Sequence, residues 1–193
     1  GVLLCINGTG ILNAWTRRLL DDVSYLEMNQ LAQNISPGSD GLSILPFGNG
    51  AERVLSNKNI GAQVVGLDLN RHNRGHLCRA VQEGIVFSFM YGIEIMAEAG
   101  MPINTIRAGD ANMFMSEVFS SSLANISGAQ IELYDTDGAL GAARGAGFGA
   151  GVYSSFDEAF ATLEKKKTIN PDGTDLSEAY GRWKSAVEKA IEV

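Results

Sequence analysis

One segment constrains this chain more than any other. From Asn73 to Ala99, the residues Leu77, Ala80, Val81, Ile85, Phe89, Ile93, Met96 and Ala97 fall on a single helical stripe, and Gly100-Met101-Pro102 stops it. A helix this long is predicted to sit at the centre of the core, since each aliphatic or Phe side chain it buries contributes about 1.5–3 kcal/mol. The segments that follow alternate: Asn104 to Arg107 extended, Asn112 to Ala124 helical, Gln130 to Tyr134 extended, Gly138 to Ala150 helical. That order predicts an α/β fold with parallel strands.

Ahead of the long helix, Val2 to Ile6 is an unbroken apolar run of the kind found in a strand buried on both faces. It is expected to share one sheet with Asn104 to Arg107 and Gln130 to Tyr134. After Asn7-Gly8-Thr9-Gly10 the spacing of Ile11, Leu12, Trp15, Leu19 and Leu20 is helical. A second helix is predicted over Ser24 to Asn34, and strands over Leu42 to Phe47 and Ala62 to Leu69. An apolar strand with no preceding cap or turn predicts a domain incomplete at its N-terminus. At the other end, Asn170-Pro171-Asp172-Gly173 reads as a turn before a helix over Leu176 to Ile191. We therefore expect a core over about 1–165 and a helical extension over about 166–193. The cationic run Lys165 to Lys167 is expected to be a solvated helix end.

Composition removes several function classes. A net charge of -7 with no basic stripe argues against a nucleic-acid surface, which needs clustered Lys and Arg to displace counterions. No apolar run approaches the roughly 18–20 residues of a membrane span, and the opening GVLLCINGTG has no basic lead, so neither membrane nor secretion is expected. Cys5 and Cys78 form no CxxC pair, which points to reduced thiols and a cytoplasmic location.

Two junctions where a strand meets a helix are candidate nucleotide contacts: Asn7 to Asn13, and Arg107 to Asn112. Glycine there admits a ligand to the backbone, and the free N–H groups of a first helical turn attract phosphate oxygens. The first junction partly imitates a dinucleotide fingerprint. Its third glycine position holds Asn13, however, and the acid expected at the end of the next strand is missing. The run AARGAGFGAG imitates a phosphate loop without a following GK[ST], and its small residues are expected to let a helix pack close to a neighbour. His72 and His76 lack the remaining ligands of a zinc site and are expected to be surface or capping histidines.

In order and spacing, NGTGILNAW, LPFGNGAER, HLCRAVQEGIVFSF, IRAGDANMFMSEVF and ELYDTDGALGAARGAGFGAG resemble the C-terminal lobe of the FGGY carbohydrate kinases, the xylulokinase branch in particular. The resemblance implies an actin-like, ribonuclease-H-like α/β lobe of a two-lobed enzyme that phosphorylates a sugar, D-xylulose above others, with ATP and Mg2+. It implies nucleotide contacts at Gly10 and Asn13 on the phosphate side and at Gly109 and Asn112 on the adenosine side. Ala108-Gly109 stands where the family usually has two glycines. The Asp that serves the family as catalytic base matches no residue here, so no catalytic residue is assigned. The implied partners are ATP, a small sugar and the N-terminal lobe of the same enzyme, and a homodimer stays open. Another FGGY sugar or polyol kinase, a Rossmann-type oxidoreductase and a non-catalytic nucleotide-binding module remain as alternatives.

Overall fold

The computed structural model describes residues 3–192. Two helices open the chain, α1 (Thr9–Leu19) and α2 (Tyr25–Gln33), followed by the strands β1 (Ser43–Phe47) and β2 (Gly61–Val65) and the long helix α3 (Arg74–Glu98). Then come β3 (Thr105–Gly109), α4 (Glu117–Ser127), β4 (Gln130–Tyr134), α5 (Gly138–Gly149), α6 (Phe156–Phe160), β5 (Lys165–Ile169) and α7 (Ser177–Glu192).

The helix α3 begins where the sequence says it should. The Asn73 side chain accepts the N–H of Gly75 at 2.9 Å, and His76 Nδ1 accepts the N–H of Asn73 at 3.2 Å, a reciprocal capping box. His76 is therefore a capping histidine, as expected, and its Nε2 lies 3.1 Å from Asp40 Oδ2. The ring of His72 accepts the Asp68 N–H through Nδ1 at 3.0 Å. From Gly75 to Ser88 nearly every side of α3 is covered, so the buried set is wider than one stripe, whereas Ala97 at its far end is exposed. Polar residues are buried there too. Arg79 Nε meets Glu83 Oε1 at 2.7 Å, and Glu83 also accepts Gly38 N–H and Ser39 Oγ–H, so the pair fastens the 36–41 loop to the helix. Gly84 faces β1 so closely that a Cβ would stand 2.2 Å from Ile44 O. Burial pushes the Cys78 thiol up to about 11, with the nearby Glu27 charge adding to it, and both cysteines are free.

The strands form two sheets. β1 and β2 pair antiparallel with Leu45 opposite Gln63, while β3 and β4 pair parallel with Ile106 opposite Ile131 and β5 joins β4 antiparallel. Two of the three strands expected in one sheet therefore share it. The third does not form: residues 3–6 are not a strand, and Val2 lies outside the described residues. An apolar run becomes a strand only when a neighbour takes its backbone hydrogen bonds. Leu4 and Ile6 instead lie against the core side chains, with Leu4 over Gly92 of α3.

Two further expectations are corrected. Lys165 to Lys167 is not a helix end but the start of β5, where Lys165 Nζ reaches Glu132 Oε1 across the sheet at 3.1 Å. The division expected near 165/166 accordingly runs through β5. The C-terminal helix α7 packs into the core. Trp183 is fully buried, donates its indole N–H to Ile44 O at 2.8 Å and stands among Phe47, Phe87, Tyr91 and Tyr180.

Candidate functional site

The parallel strands β3 and β4 end level with one another, Gly109 opposite Tyr134, so the chain leaves both at the same rim of the sheet. Tyr134 O accepts the N–H of Asp110 and of Thr136, both at 2.8 Å, which folds the two departing loops towards each other. They touch at Gly109, where a Cβ would stand 2.2 Å from Thr136 O. Gly109 is thus glycine because the fold requires it. After the turn, Asn112 takes a left-handed backbone (φ 54°), which an amide residue tolerates better than most. That turn delays the helix expected from Asn112: residues Asn112–Met115 form a 3-10 turn, and α4 starts at Glu117 behind its cap Ser116.

Across from this rim lies the first turn of α1. Gly8 precedes it, its N–H bound to Glu52 Oε1 at 3.0 Å and its Cα too close to Pro46 O for any side chain. Glu52 is fully buried and also takes the Asn7 N–H at 2.8 Å. The helix thus starts at Thr9, leaving the N–H groups of Thr9, Gly10 and Ile11 without intrahelical partners. A Cβ on Gly10 would meet nothing within 4 Å. The space in front of it is open.

Two adjoining cavities occupy that space. One, of about 410 Å³, is lined by Gly10, Asn13, Tyr25, Asn29, Asn112 and Met115 among others, so three of the four predicted nucleotide residues share it. The other, of about 380 Å³, holds the fourth: Gly109 lines it with Thr9, Asn112, Thr136, Asp137 and Gly138. Asn112 and Met113 line both cavities and join them. Among the described residues, Asn13 Oδ1 is buried with no hydrogen-bond partner. Asn29 is held in place through its Oδ1, which accepts Gln82 Nε2–H at 3.0 Å. The walls thus combine carboxamides, open helical N–H groups and thioether and aromatic faces, a set suited to a ligand with both a flat ring and an anionic end.

Thr9 lies in the first junction already named, whereas Thr136 and Asp137 were not named as site candidates and Gly138 was expected only to help a helix pack. The signal was present in Tyr134 to Gly138, which repeats the pattern of β3: a strand end, then a short polar turn, then a helix capped by Asp137, whose Oδ1 accepts the Leu140 N–H at 2.8 Å. The glycines of α5 divide: a Cβ on Gly147 would stand 2.7 Å from the ring of Tyr153, the close packing expected, whereas added Cβ atoms on Gly138, Gly141, Gly145 and Gly149 would meet nothing within 4 Å, and α5 has no buried residue. Among the described residues, no three His, Cys, Asp or Glu side chains gather as a metal cluster, and no helix is long and apolar enough to cross a membrane.

Comparison with known proteins places this geometry. The family described as "FGGY family of carbohydrate kinases, C-terminal domain" matches residues 5–150. A xylulose kinase of Haemophilus influenzae is 38% identical over 105 residues, covering 54% of this chain and 21% of its own length. The L-xylulose/3-keto-L-gulonate kinase of Escherichia coli is 34% identical over 167 residues, covering 83% of this chain and 32% of that protein. Glycerol kinases also occur among the relatives. In three dimensions the xylulose kinase of Rhodospirillum rubrum superposes with a TM-score of 0.77 at 25% identity, over 98% of this chain and 39% of that one. The chain therefore spans about a fifth to two fifths of the length of these proteins. With the family match running through all of α1 to α5, the chain belongs to the FGGY carbohydrate kinases, as part of their C-terminal, actin-like lobe.

Proposed function

We propose that this chain is the nucleotide-binding lobe of a kinase that phosphorylates D-xylulose to D-xylulose 5-phosphate with ATP. The observation that carries the reading is the position of Asn112, which lines both cavities and so unites the turn after β3 with the start of α1 in one cleft. In this reading the phosphates meet the open N–H groups of Thr9 and Gly10, where partial positive charge of the helix end favours an anion. The adenosine lies along the turn from Gly109 to Asn112, and Asn13 stands on the phosphate side with Gly10. Phosphoryl transfer is mainly positioning and charge stabilisation, so this lobe contributes orientation of the donor. With no acidic cluster in the described residues, the ligands of a Mg2+ ion would be the nucleotide phosphates and groups outside this chain. The catalytic base and most of the sugar pocket belong to the other lobe.

A second substrate, a polyol, is supported by one observation: glycerol kinases stand among the relatives beside the xylulose kinases. The substrate is decided by assaying ADP release from the complete enzyme with xylulose and with glycerol in parallel. The expected result is turnover with xylulose, none by the 193-residue chain alone, and direct ATP binding by that chain in calorimetry. Gly10→Val adds a side chain into open space and should abolish binding without unfolding the protein. Undiminished ATP binding in that variant would overturn the site, and glycerol turnover without xylulose turnover would overturn the substrate.

A further inference from the structure

We propose that Asn49 is a site of spontaneous deamidation, and that the fold protects the chain's second Asn-Gly pair, Asn7-Gly8, from the same reaction. Glycine after asparagine leaves the following backbone nitrogen unhindered, because no Cβ stands beside it. The nitrogen of Gly50 attacks Asn49 Cγ, a C–N bond forms, the Cγ–Nδ2 bond breaks, and ammonia departs carrying the amide proton. Water then opens the five-membered imide at either carbonyl, giving aspartate or isoaspartate. No oxidant or reductant is involved.

The two pairs differ in what holds the attacking nitrogen. Asn49 and Gly50 are both exposed in a bend after β1, Gly50 has φ +86°, and its N–H has no hydrogen-bond partner among the described residues. Gly8 is buried, and its N–H is bound at 3.0 Å to Oε1 of the buried Glu52. A carboxylate in that position opposes loss of the proton, and the bond must break before attack. Both asparagine side chains donate through Nδ2 to a backbone carbonyl, Asn7 to Ala51 O at 3.1 Å and Asn49 to Asn7 O at 3.2 Å, so the difference lies in the attacking nitrogen.

The product has a structural consequence. Asn49 Nδ2 donates to Asn7 O at 3.2 Å, a tie between the β1 exit and the turn that leads into α1. After deamidation a carboxylate stands opposite that carbonyl oxygen, so attraction becomes repulsion. An ageing reaction at Asn49 therefore loosens the turn that Glu52 holds.

The test is incubation of the purified chain in mildly alkaline buffer, with peptide mapping by mass spectrometry and separation of aspartate from isoaspartate. In the folded chain, conversion at Asn49 should exceed that at Asn7 by about tenfold or more, the rate equivalent of one charge-assisted hydrogen bond. In denaturant the two rates should converge. Glu52→Gln should raise the rate at Asn7 and leave Asn49 unchanged. Equal rates at the two sites in the folded chain, or an intact Asn49 there, would overturn the proposal. If Glu52→Gln folds and Asn7 stays as slow as before, the protection assigned to Glu52 is wrong.

Discussion

The carboxylate of Glu52 holds the backbone N–H of Gly8 at 3.0 Å through Oε1 while Oε2 holds that of Asn7 at 2.8 Å, and the side chain is fully buried. Two consecutive N–H groups aimed at one carboxylate fix the direction in which the chain enters α1. In Glu52→Gln one of the two oxygens becomes an NH2 group facing an N–H donor. A buried donor left facing a donor costs about 1–3 kcal/mol. Urea unfolding should show a loss of that size with an unchanged slope, and ATP affinity should fall as well, because the same turn presents Thr9 and Gly10.

Asn112 separates backbone demand from side-chain function. Its φ of 54° suits glycine and strains alanine. Asn112→Gly should keep the melting temperature within a few degrees of the parent yet weaken ATP binding, since the carboxamide shared by the two cavities is lost. Asn112→Ala should lose binding and, in addition, about 1 kcal/mol of stability. Equal ATP affinity in the glycine variant and the parent would remove Asn112 from the site.

Gly10 and Gly109 look alike in the sequence, and structure divides them. Gly10 faces open space, whereas at Gly109 the backbone of Thr136 fills the place of a Cβ at 2.2 Å. Gly109→Ala should therefore lower stability by about 1–3 kcal/mol through forced backbone movement, with any loss of binding following from it. Thermal melts of the two alanine variants side by side make the distinction.

Much of this was legible in the residues. The start of α3 after Asn73, its stop at Gly100, and β3, β4 and α5 follow from local periodicity and turn chemistry, and glycine and helix-start signals pointed to the two rim junctions as candidates, which the family resemblance then favoured. What could not be read depends on partners distant in sequence. The run before Ile6 is apolar enough for a strand but finds no ladder, and Lys165 to Lys167, solvated as expected, belongs to a strand because β4 lies beside it. The glycines of α5 suggested close packing, yet whether a small residue meets a neighbour is a tertiary fact. Glu52 carries no sequence signal of burial at all, since its partners are two backbone N–H groups more than forty residues away.

Trp183 tests whether the C-terminal helix belongs to the core. Its indole is fully buried and hydrogen-bonded to Ile44 O at 2.8 Å. Trp183→Phe keeps most of the volume but leaves that carbonyl unpaired, for a cost of about 1–3 kcal/mol. Trp183→Ala opens a cavity beside Phe47 and Phe87 and should cost about 3–5 kcal/mol, a large share of the stability of a domain this size. A chain cut after Glu164, losing both β5 and α7, should not fold cooperatively. A cooperative melt from that truncated chain would restore the division into core and extension.

The last prediction concerns acid. On β4, Glu132 accepts from Arg107 Nε at 2.9 Å, from the Tyr134 hydroxyl at 2.9 Å and from Lys165 Nζ at 3.1 Å. These donors, the Arg107 guanidinium foremost, lower its carboxyl from 4.5 to about 2. Because the folded-state value lies below the unfolded one, Glu132 adds stability that is fully present above the ordinary carboxylate range. That stability is lost as pH falls from about 4.5 through about 2. The exposed guanidinium of Arg107 is screened by water and salt, so the effect should shrink as ionic strength rises. Glu132→Gln cannot titrate. Its unfolding free energy should depend less steeply on pH than the parent's across that window, the two curves converging towards its acid end and parting again at neutral pH. Parallel curves over the whole range would mean that Arg107 and Lys165 do not hold the carboxylate in solution, and that β3, β4 and β5 are joined by their backbone ladders and apolar faces alone.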